Sequence, residues 1–160
     1  AVPREIFPAI AVLTALFDLV MSSTVLIGMM IFFRVPLTIH ILWVPVLVAI
    51  TGLLAWGIGL GIAALGTYRR DFILGIGFAL QLLTYATPII YPLSEVPEEW
   101  LGLYTLNPLV GLIENYRYVI IDGVPPDFNL LGISIVTTLI LCAITWPVFR
   151  VMSQYFADVL

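Results

Sequence analysis

The chain has 160 residues, of which 62% are hydrophobic and only 10% are charged. Soluble domains contain roughly 45–50% apolar and about 25% charged residues, so this chain has too few polar residues to cover a globule in water. Its six basic residues are all arginine and its net charge is −4, which excludes the basic face that nucleic-acid binding requires. The composition is that of an integral membrane protein.

Four apolar segments are long enough to cross a bilayer, for which an α-helix needs about 20 residues. We predict transmembrane helices at about residues 8–33, 41–67, 72–91 and 130–149. These helices and their connections account for all of residues 1–160, which form one membrane domain. A separate water-soluble catalytic domain within these residues is therefore excluded. The predicted fold class is therefore all-α and integral to the membrane.

A further apolar stretch, about residues 98–121, is broken in its middle by Asn107-Pro108. Each half is too short to span a bilayer alone. Two short helices that enter and leave the same leaflet form a re-entrant hairpin, which is allowed only where protein or water covers the irregular backbone. A single kinked span is the alternative.

Arginine placement distinguishes these two arrangements. With a re-entrant hairpin there are four spans, and four arginines share one side of the membrane: Arg4, Arg69, Arg70 and Arg150. Arg34 then lies on the other side with the acidic loop residues, which are Glu95, Glu98, Glu99, Asp122 and Asp127. A fifth span would move Arg150 to the acidic side, so the positive-inside rule favours four spans with both chain ends in the cytoplasm.

No residue pattern indicates catalysis. Intramembrane proteases and metal-dependent glycosyltransferases require clustered Ser, Asp, His or carboxylate groups. His40 is the only histidine and has no acidic neighbour in sequence, while Asp122 and Asp127 flank a proline-containing turn. We expect a chain that is not an enzyme and that holds no cofactor or metal of its own.

Three residues are candidates for helix packing inside the membrane. Gly57 and Gly61 form a small-xxx-small pair, which lets two helix backbones approach closely in lipid. Asp18 stands near the middle of the first helix, where a charge costs at least about 2.5 kcal/mol. We expect its carboxyl to face the bundle and bond to Ser22 or to a neighbouring helix, the alternative being a proton or substrate relay.

The predicted outer half of the bundle holds a possible ion pair and a group of aromatic residues. Glu114 and Arg117 are three residues apart and can pair on one helix face, the alternative being that Arg117 meets an anionic substrate. An aromatic belt at the lipid interface explains the aromatic residues, and stacking on sugar rings is the alternative. These residues are Tyr85, Tyr91, Trp100, Tyr104, Tyr116 and Tyr118.

Several short motifs follow one another along the chain: Pro3-Arg4-Glu5-Ile6-Phe7-Pro8, Tyr68-Arg69-Arg70-Asp71, Pro88-Ile89-Ile90-Tyr91-Pro92, Asn107-Pro108-Leu109 and Tyr116-Arg117. In this order and spacing they resemble the ABC-2 type transporter permeases, most closely those that export polysaccharides such as O-antigen, capsule or teichoic acid. The resemblance covers essentially the whole chain.

The resemblance implies the C-terminal part of a six-helix permease of the type V ABC exporters. The cytoplasmic interface helix and the first two spans would then precede Ala1, in keeping with a chain that begins without methionine. The hairpin at 98–121 would be the pair of gate helices on the extracytoplasmic side. Gate and substrate-path candidates are Tyr85, Tyr91, Trp100, Tyr104, Asn107, Pro108, Glu114, Tyr116 and Arg117.

The resemblance also implies the partners. The permease would form a homodimer in the bacterial inner (cytoplasmic) membrane and bind two copies of an ABC ATPase subunit, which would hold ATP and Mg²⁺. Arg4, Arg69 and Arg70 are candidates for ATPase coupling. Closure of the ATPase dimer would open a path for a lipid-linked glycan. Alternatives are a drug or small-lipid exporter of the same superfamily and a non-transporting membrane assembly protein.

The topology can be tested by cysteine labelling. A cysteine at Arg69 or Arg70 should react with a membrane-impermeant reagent only from the cytoplasm, whereas a cysteine at Glu98 should react only from outside, because arginines are retained inside. Labelling of both sites from the same side would overturn the four-span arrangement.

Overall fold

The computed structural model describes the backbone of residues 6–68, 70–89, 91 and 93–155. In these ranges the chain is helical and has no β-strand, which confirms the predicted all-α class. The α-helices are α1 (Ile6–Phe32), α2 (Val44–Tyr68), α3 (Arg70–Ala86), α4 (Glu98–Thr105), α5 (Pro108–Arg117) and α6 (Phe128–Tyr155).

Three segments of the described chain are long and apolar enough to cross a bilayer. They are Ala9–Phe32, Ile39–Gly66 and Phe128–Met152, with 24, 28 and 25 residues. Helix α3 has 17 residues, which at ~1.5 Å per residue gives a length of about 25 Å, less than a hydrocarbon core of ~30 Å. Three of the four predicted spans therefore have full membrane length, and the number of crossings stays a prediction.

Helix α3 ends earlier than the sequence suggests, at Ala86 rather than near residue 91. The residue before a proline is disfavoured in helical conformation, and Thr87 precedes Pro88. Beyond this point the backbone N–H of Ile89 donates to the carbonyl of Thr87 at 2.7 Å, which is a tight turn rather than a helix. Tyr91 therefore lies in the connection after α3.

Helix α2 lies at the centre of the arrangement, where it contacts α1, α3, α5 and α6. Lipid tails are as apolar as leucine, so close packing, rather than water exclusion, stabilises such contacts inside a membrane. One buried apolar cluster joins α2 to α5 and α6 and comprises Leu47, Leu54, Leu112, Val119 and Leu131. A second joins the other ends of α2 and α6 and comprises Leu60, Ala64 and Phe149.

Gly57 and Gly61 lie on the face of α2 that packs against α6. A Cβ atom on Gly57 would lie 2.7 Å from Sγ of Cys142, and one on Gly61 would lie 3.2 Å from Cγ2 of Thr145. Both distances are shorter than ordinary van der Waals contact, so glycine at these positions permits the close approach of α2 and α6.

Helix α1 is packed least closely: its most apolar 18-residue window has no buried residue. Asp18 is exposed on this helix and makes no hydrogen bond or ion pair with the part of the chain that the structure describes. The expected bond to Ser22 is therefore not formed. Because an isolated charge in lipid is costly, we expect Asp18 to contact another polypeptide segment.

Replacing Gly57 by leucine should destabilise the protein, because the larger side chain would push α6 away from α2. Gly28→Leu is the matched control, since a Cβ there meets no atom within 4 Å. The measurement is the midpoint of thermal unfolding in detergent by size-exclusion chromatography. Equal midpoints for the two variants would contradict the α2–α6 packing.

Candidate functional site

Helices α4 and α5 meet at the break that the sequence predicts. They contain 8 and 10 residues. Asn107 caps α5: its Oδ1 accepts a hydrogen bond from the N–H of Leu109 at 3.1 Å. Pro108 takes the first helical position, where no N–H is required. The structure thus contains two short helices, and their return to the same leaflet stays a prediction.

Two side-chain hydrogen bonds hold α5 to the segment from Thr87 to Leu93, which we call the strap. At one end, Nδ2 of Asn107 donates to Oγ1 of Thr87 at 3.3 Å, and Thr87 is fully buried. At the other end, the backbone N–H of Leu93 donates to Oε1 of Glu114 at 2.8 Å. The continuation of α3 is therefore fixed to the hairpin at two points.

The carboxylate of Glu114 is the centre of a small polar network. Its Oε1 lies 2.6 Å from Nη1 of Arg117. This is the ion pair that the three-residue spacing allows. Glu114 is 2% exposed, and its carboxylate side chain would be costly to bury without partners. Oε1 accepts hydrogen bonds from both Arg117 and Leu93, which satisfies the charge.

Tyr116 connects the hairpin to α2. Its hydroxyl lies 3.2 Å from Oγ1 of Thr51, whose own hydroxyl donates to the carbonyl of Leu47 at 2.8 Å. Because that bond uses the threonine proton, Tyr116 is the donor to Thr51. A hydroxyl that the sequence places in the substrate path therefore also anchors α5 to α2.

Sequence reasoning missed two buried residues of α5, Gly111 and Asn115. A Cβ atom on Gly111 would lie 2.6 Å from the carbonyl oxygen of Leu130 and would also overlap Ser134, so α5 and α6 approach closely here. Asn115 is fully buried, and its Nδ2 donates to the carbonyl of Gly111 at 2.7 Å. The signal available in the sequence was a glycine, Gly111, one helical turn before an asparagine, Asn115, in an apolar stretch.

A cleft of about 470 Å³ opens beside α4, and we call it the aromatic cleft. Its volume falls within the range of about 300–1,000 Å³ that is usual for small-molecule sites. It is lined by Tyr91, Glu95, Val96, Pro97, Trp100, Leu103 and Tyr104. The structure thus brings together three of the predicted substrate-path aromatics, and it adds Glu95.

The phenols of the cleft are hydrogen bonded to each other. The Tyr91 hydroxyl donates to the carbonyl of Tyr85 at 3.2 Å and lies 3.5 Å from the hydroxyl of Tyr104. The hydrogen bond with Tyr104, aided by desolvation, raises the pKa of Tyr91 above its ordinary value. The Tyr85 side chain itself is exposed and does not line the cleft.

The coupling candidates are placed only in part. Arg4 and Arg69 lie outside the described residues, and Arg70 is the first residue of α3. Within the described ranges no group of three or more His, Cys, Asp or Glu residues is placed to hold a metal ion.

Long apolar helices beside two short helices, of which α5 is partly buried, define a multi-pass membrane protein. Residues 1–121 match the family model described as ABC-2 type transporter. Because this match covers most of the chain, the chain belongs to the ABC-2 type transporter family, which confirms the resemblance drawn from its motifs.

Named relatives of the chain are transport permeases. The O-antigen export system permease protein RfbA of Klebsiella pneumoniae is 24% identical over 159 residues, which cover 99% of this chain and 61% of the relative. RfbA of Myxococcus xanthus is 26% identical over 159 residues, which cover 98% of this chain and 61% of the relative. The inner membrane transport permease YadH of Escherichia coli strain K12 is 32% identical over 115 residues, which cover 69% of this chain and 45% of the relative.

The chain spans 61% of the length of the O-antigen permeases that it matches. No solved structure gives a significant match. The comparisons therefore identify the family, and the described residues provide the geometry of the hairpin.

Removing Arg117 should destabilise the hairpin. Arg117→Ala leaves the buried Glu114 carboxylate with the Leu93 N–H as its remaining partner, and losing a hydrogen bond to a charged group costs about 1.5–3 kcal/mol. The double variant Glu114→Gln/Arg117→Ala should recover part of this loss, because it removes the buried charge. Thermal unfolding of both variants tests this, and wild-type stability of Arg117→Ala would show that the pair contributes little.

Proposed function

We propose that the chain is the membrane-spanning subunit of an ATP-driven ABC exporter that moves a lipid-linked polysaccharide across the bacterial cytoplasmic membrane. Family membership and similarity to O-antigen export permeases over nearly the whole chain support this proposal. The structural observation that carries it is the aromatic cleft, because it adjoins a hairpin that is fixed to the end of α3.

The cleft has the chemistry that a sugar requires. The C–H groups of a pyranose ring carry small positive charge and pack on the negative faces of aromatic rings, such as those of Trp100 and Tyr104. The hydroxyls of the sugar can donate to the carboxylate of Glu95. An aromatic surface with one polar acceptor binds each sugar unit weakly. Weak binding of each unit suits a polymer that has to pass through the cleft during transport.

The hairpin is proposed to act as a gate that α3 operates. Helix α3 is continuous from Arg70 to Ala86, and the strap that follows it is hydrogen bonded to α5. Under the predicted topology Arg70 lies at the cytoplasmic end, where an ATPase would bind. A shift of this end moves the strap, and the bonds at Asn107 and Glu114 pass the movement to the hairpin.

The remaining machinery belongs to partners. A separate ATPase subunit would hold ATP and Mg²⁺, and two copies of the permease would form the path. The exposed face of α1 around Asp18 is available for contact with another membrane helix. This assigns the chain a transport role without chemistry of its own.

The test uses the full-length permease and the product of its neighbouring ATPase gene. Trp100→Ala and Tyr104→Ala should each lower glycan at the cell surface several-fold, because they remove stacking surface, while abundance and ATPase copurification stay normal. Phe78→Ala is the matched control, since this aromatic ring is 66% exposed on α3 and lies outside the cleft. The readout is surface glycan by gel and lectin staining.

Other outcomes identify the alternatives. Normal glycan export in both cleft variants would overturn the role of the cleft. Loss of resistance to a lipophilic drug, with glycan unchanged, would indicate a drug or small-lipid exporter. Failure of any ATPase to copurify would indicate a membrane assembly protein.

A further inference from the structure

We infer that the aromatic cleft accepts sugar units that are neutral or carry an amine, and rejects units that carry phosphate or carboxylate. This inference rests on the proposed function and names the class of glycan that would pass. It separates O-antigen-like neutral polymers from polyanions such as teichoic acid or uronate-rich capsules.

The first observation is the charge of the cleft lining. Among the seven described residues that line it, the one charged group is Glu95, and none is arginine or lysine. Proteins recognise phosphate and carboxylate groups with guanidinium and ammonium groups. The cleft instead presents a carboxylate, which accepts hydrogen bonds from hydroxyl or ammonium donors and repels an anion.

The second observation is that the sequence supplies no nearby cation. No lysine, arginine or histidine stands between Arg70 and Arg117. Arg117 itself is engaged by Glu114 at 2.6 Å. The segment between Arg70 and Arg117, which includes every described residue of the cleft lining, therefore contains no basic side chain.

The third observation concerns helix ends, which can bind anions without a basic residue because their N–H groups and dipole are positive. The first turn of α4 holds Glu98 and Glu99, so two carboxylates already occupy this end beside the cleft. At the first turn of α5, Oδ1 of Asn107 accepts from Leu109. Acidic residues in the first turn of α4 and the asparagine cap of α5 both disfavour an anion at these helix ends.

The aromatic rings add to the same preference. Their faces carry negative charge, which attracts C–H groups and cations and repels anions. Trp100 and Tyr104 thus act in the same direction as Glu95. A protonated amino sugar would gain from both kinds of group, and a neutral sugar would gain from stacking and from hydrogen bonds.

The test compares two probes of equal length, mannotetraose and tetragalacturonate, on the full-length permease in nanodiscs. Binding is followed by tryptophan fluorescence, with Trp100→Phe used to assign the signal. Mannotetraose should bind, and tetragalacturonate should bind at least about tenfold more weakly at low salt, with the difference shrinking as salt screens the carboxylates.

Charge reversal provides the sharper comparison. Glu95→Arg should strengthen tetragalacturonate binding at least about tenfold and weaken mannotetraose binding, because arginine cannot accept hydrogen bonds from sugar hydroxyls. Asp122→Arg is the control, because it makes the same charge change at an exposed residue outside the cleft, and it should leave both affinities unchanged.

Two results would overturn the inference. Equal or tighter binding of tetragalacturonate to the wild-type protein would show that the cleft does not reject anions, and glycan export measured in cells would still support the proposed function. Absence of binding by either probe, together with normal export in Trp100→Ala, would overturn both the selectivity and the role of the cleft.

Discussion

The buried carboxylate of Glu114 is the interaction on which the hairpin depends. Irregular backbone at membrane depth must find hydrogen-bond partners inside the protein, because lipid provides none. Glu114 meets this requirement by accepting from the Leu93 N–H, and Arg117 in turn neutralises its charge. The Glu114 side chain thus holds the connection after α3 against helix α5. Asn107 does the same at the other end of the strap.

The packing beneath the hairpin follows from the same lack of a hydrophobic driving force in lipid. Gly57 allows α6 to approach α2, and Gly111 allows α5 to approach α6. These close contacts hold the hairpin against two helices of full membrane length. Helix α5 is therefore anchored at its base, whereas no residue of α4 is buried.

Residue patterns predicted the elements better than their junctions. The length of the apolar segments predicts the three long helices, and the Asn107-Pro108 pair predicts the break between α4 and α5. Both signals are local, because each depends only on residues that are close together in sequence. The partner of Glu114 could not be predicted, since it is the backbone N–H of Leu93 and a backbone donor has no sequence signature. Glu95 likewise could not be assigned to the cleft, because the folded chain brings its segment against Tyr91 and α4 and no local pattern marks that contact.

The strap and the cleft share one residue, which under the proposed function would link the substrate to the gate. Tyr91 belongs to the strap between its two bonds to α5, and its side chain also lines the aromatic cleft. A ligand in the cleft therefore contacts the segment through which α3 would move the hairpin. A ligand shifts a conformational equilibrium only by its difference in affinity for the two states, and contact with the moving segment supplies such a difference. If the cleft binds a sugar unit and the hairpin opens as proposed, the location of Tyr91 would let each event favour the other, as thermodynamic linkage requires of coupled sites.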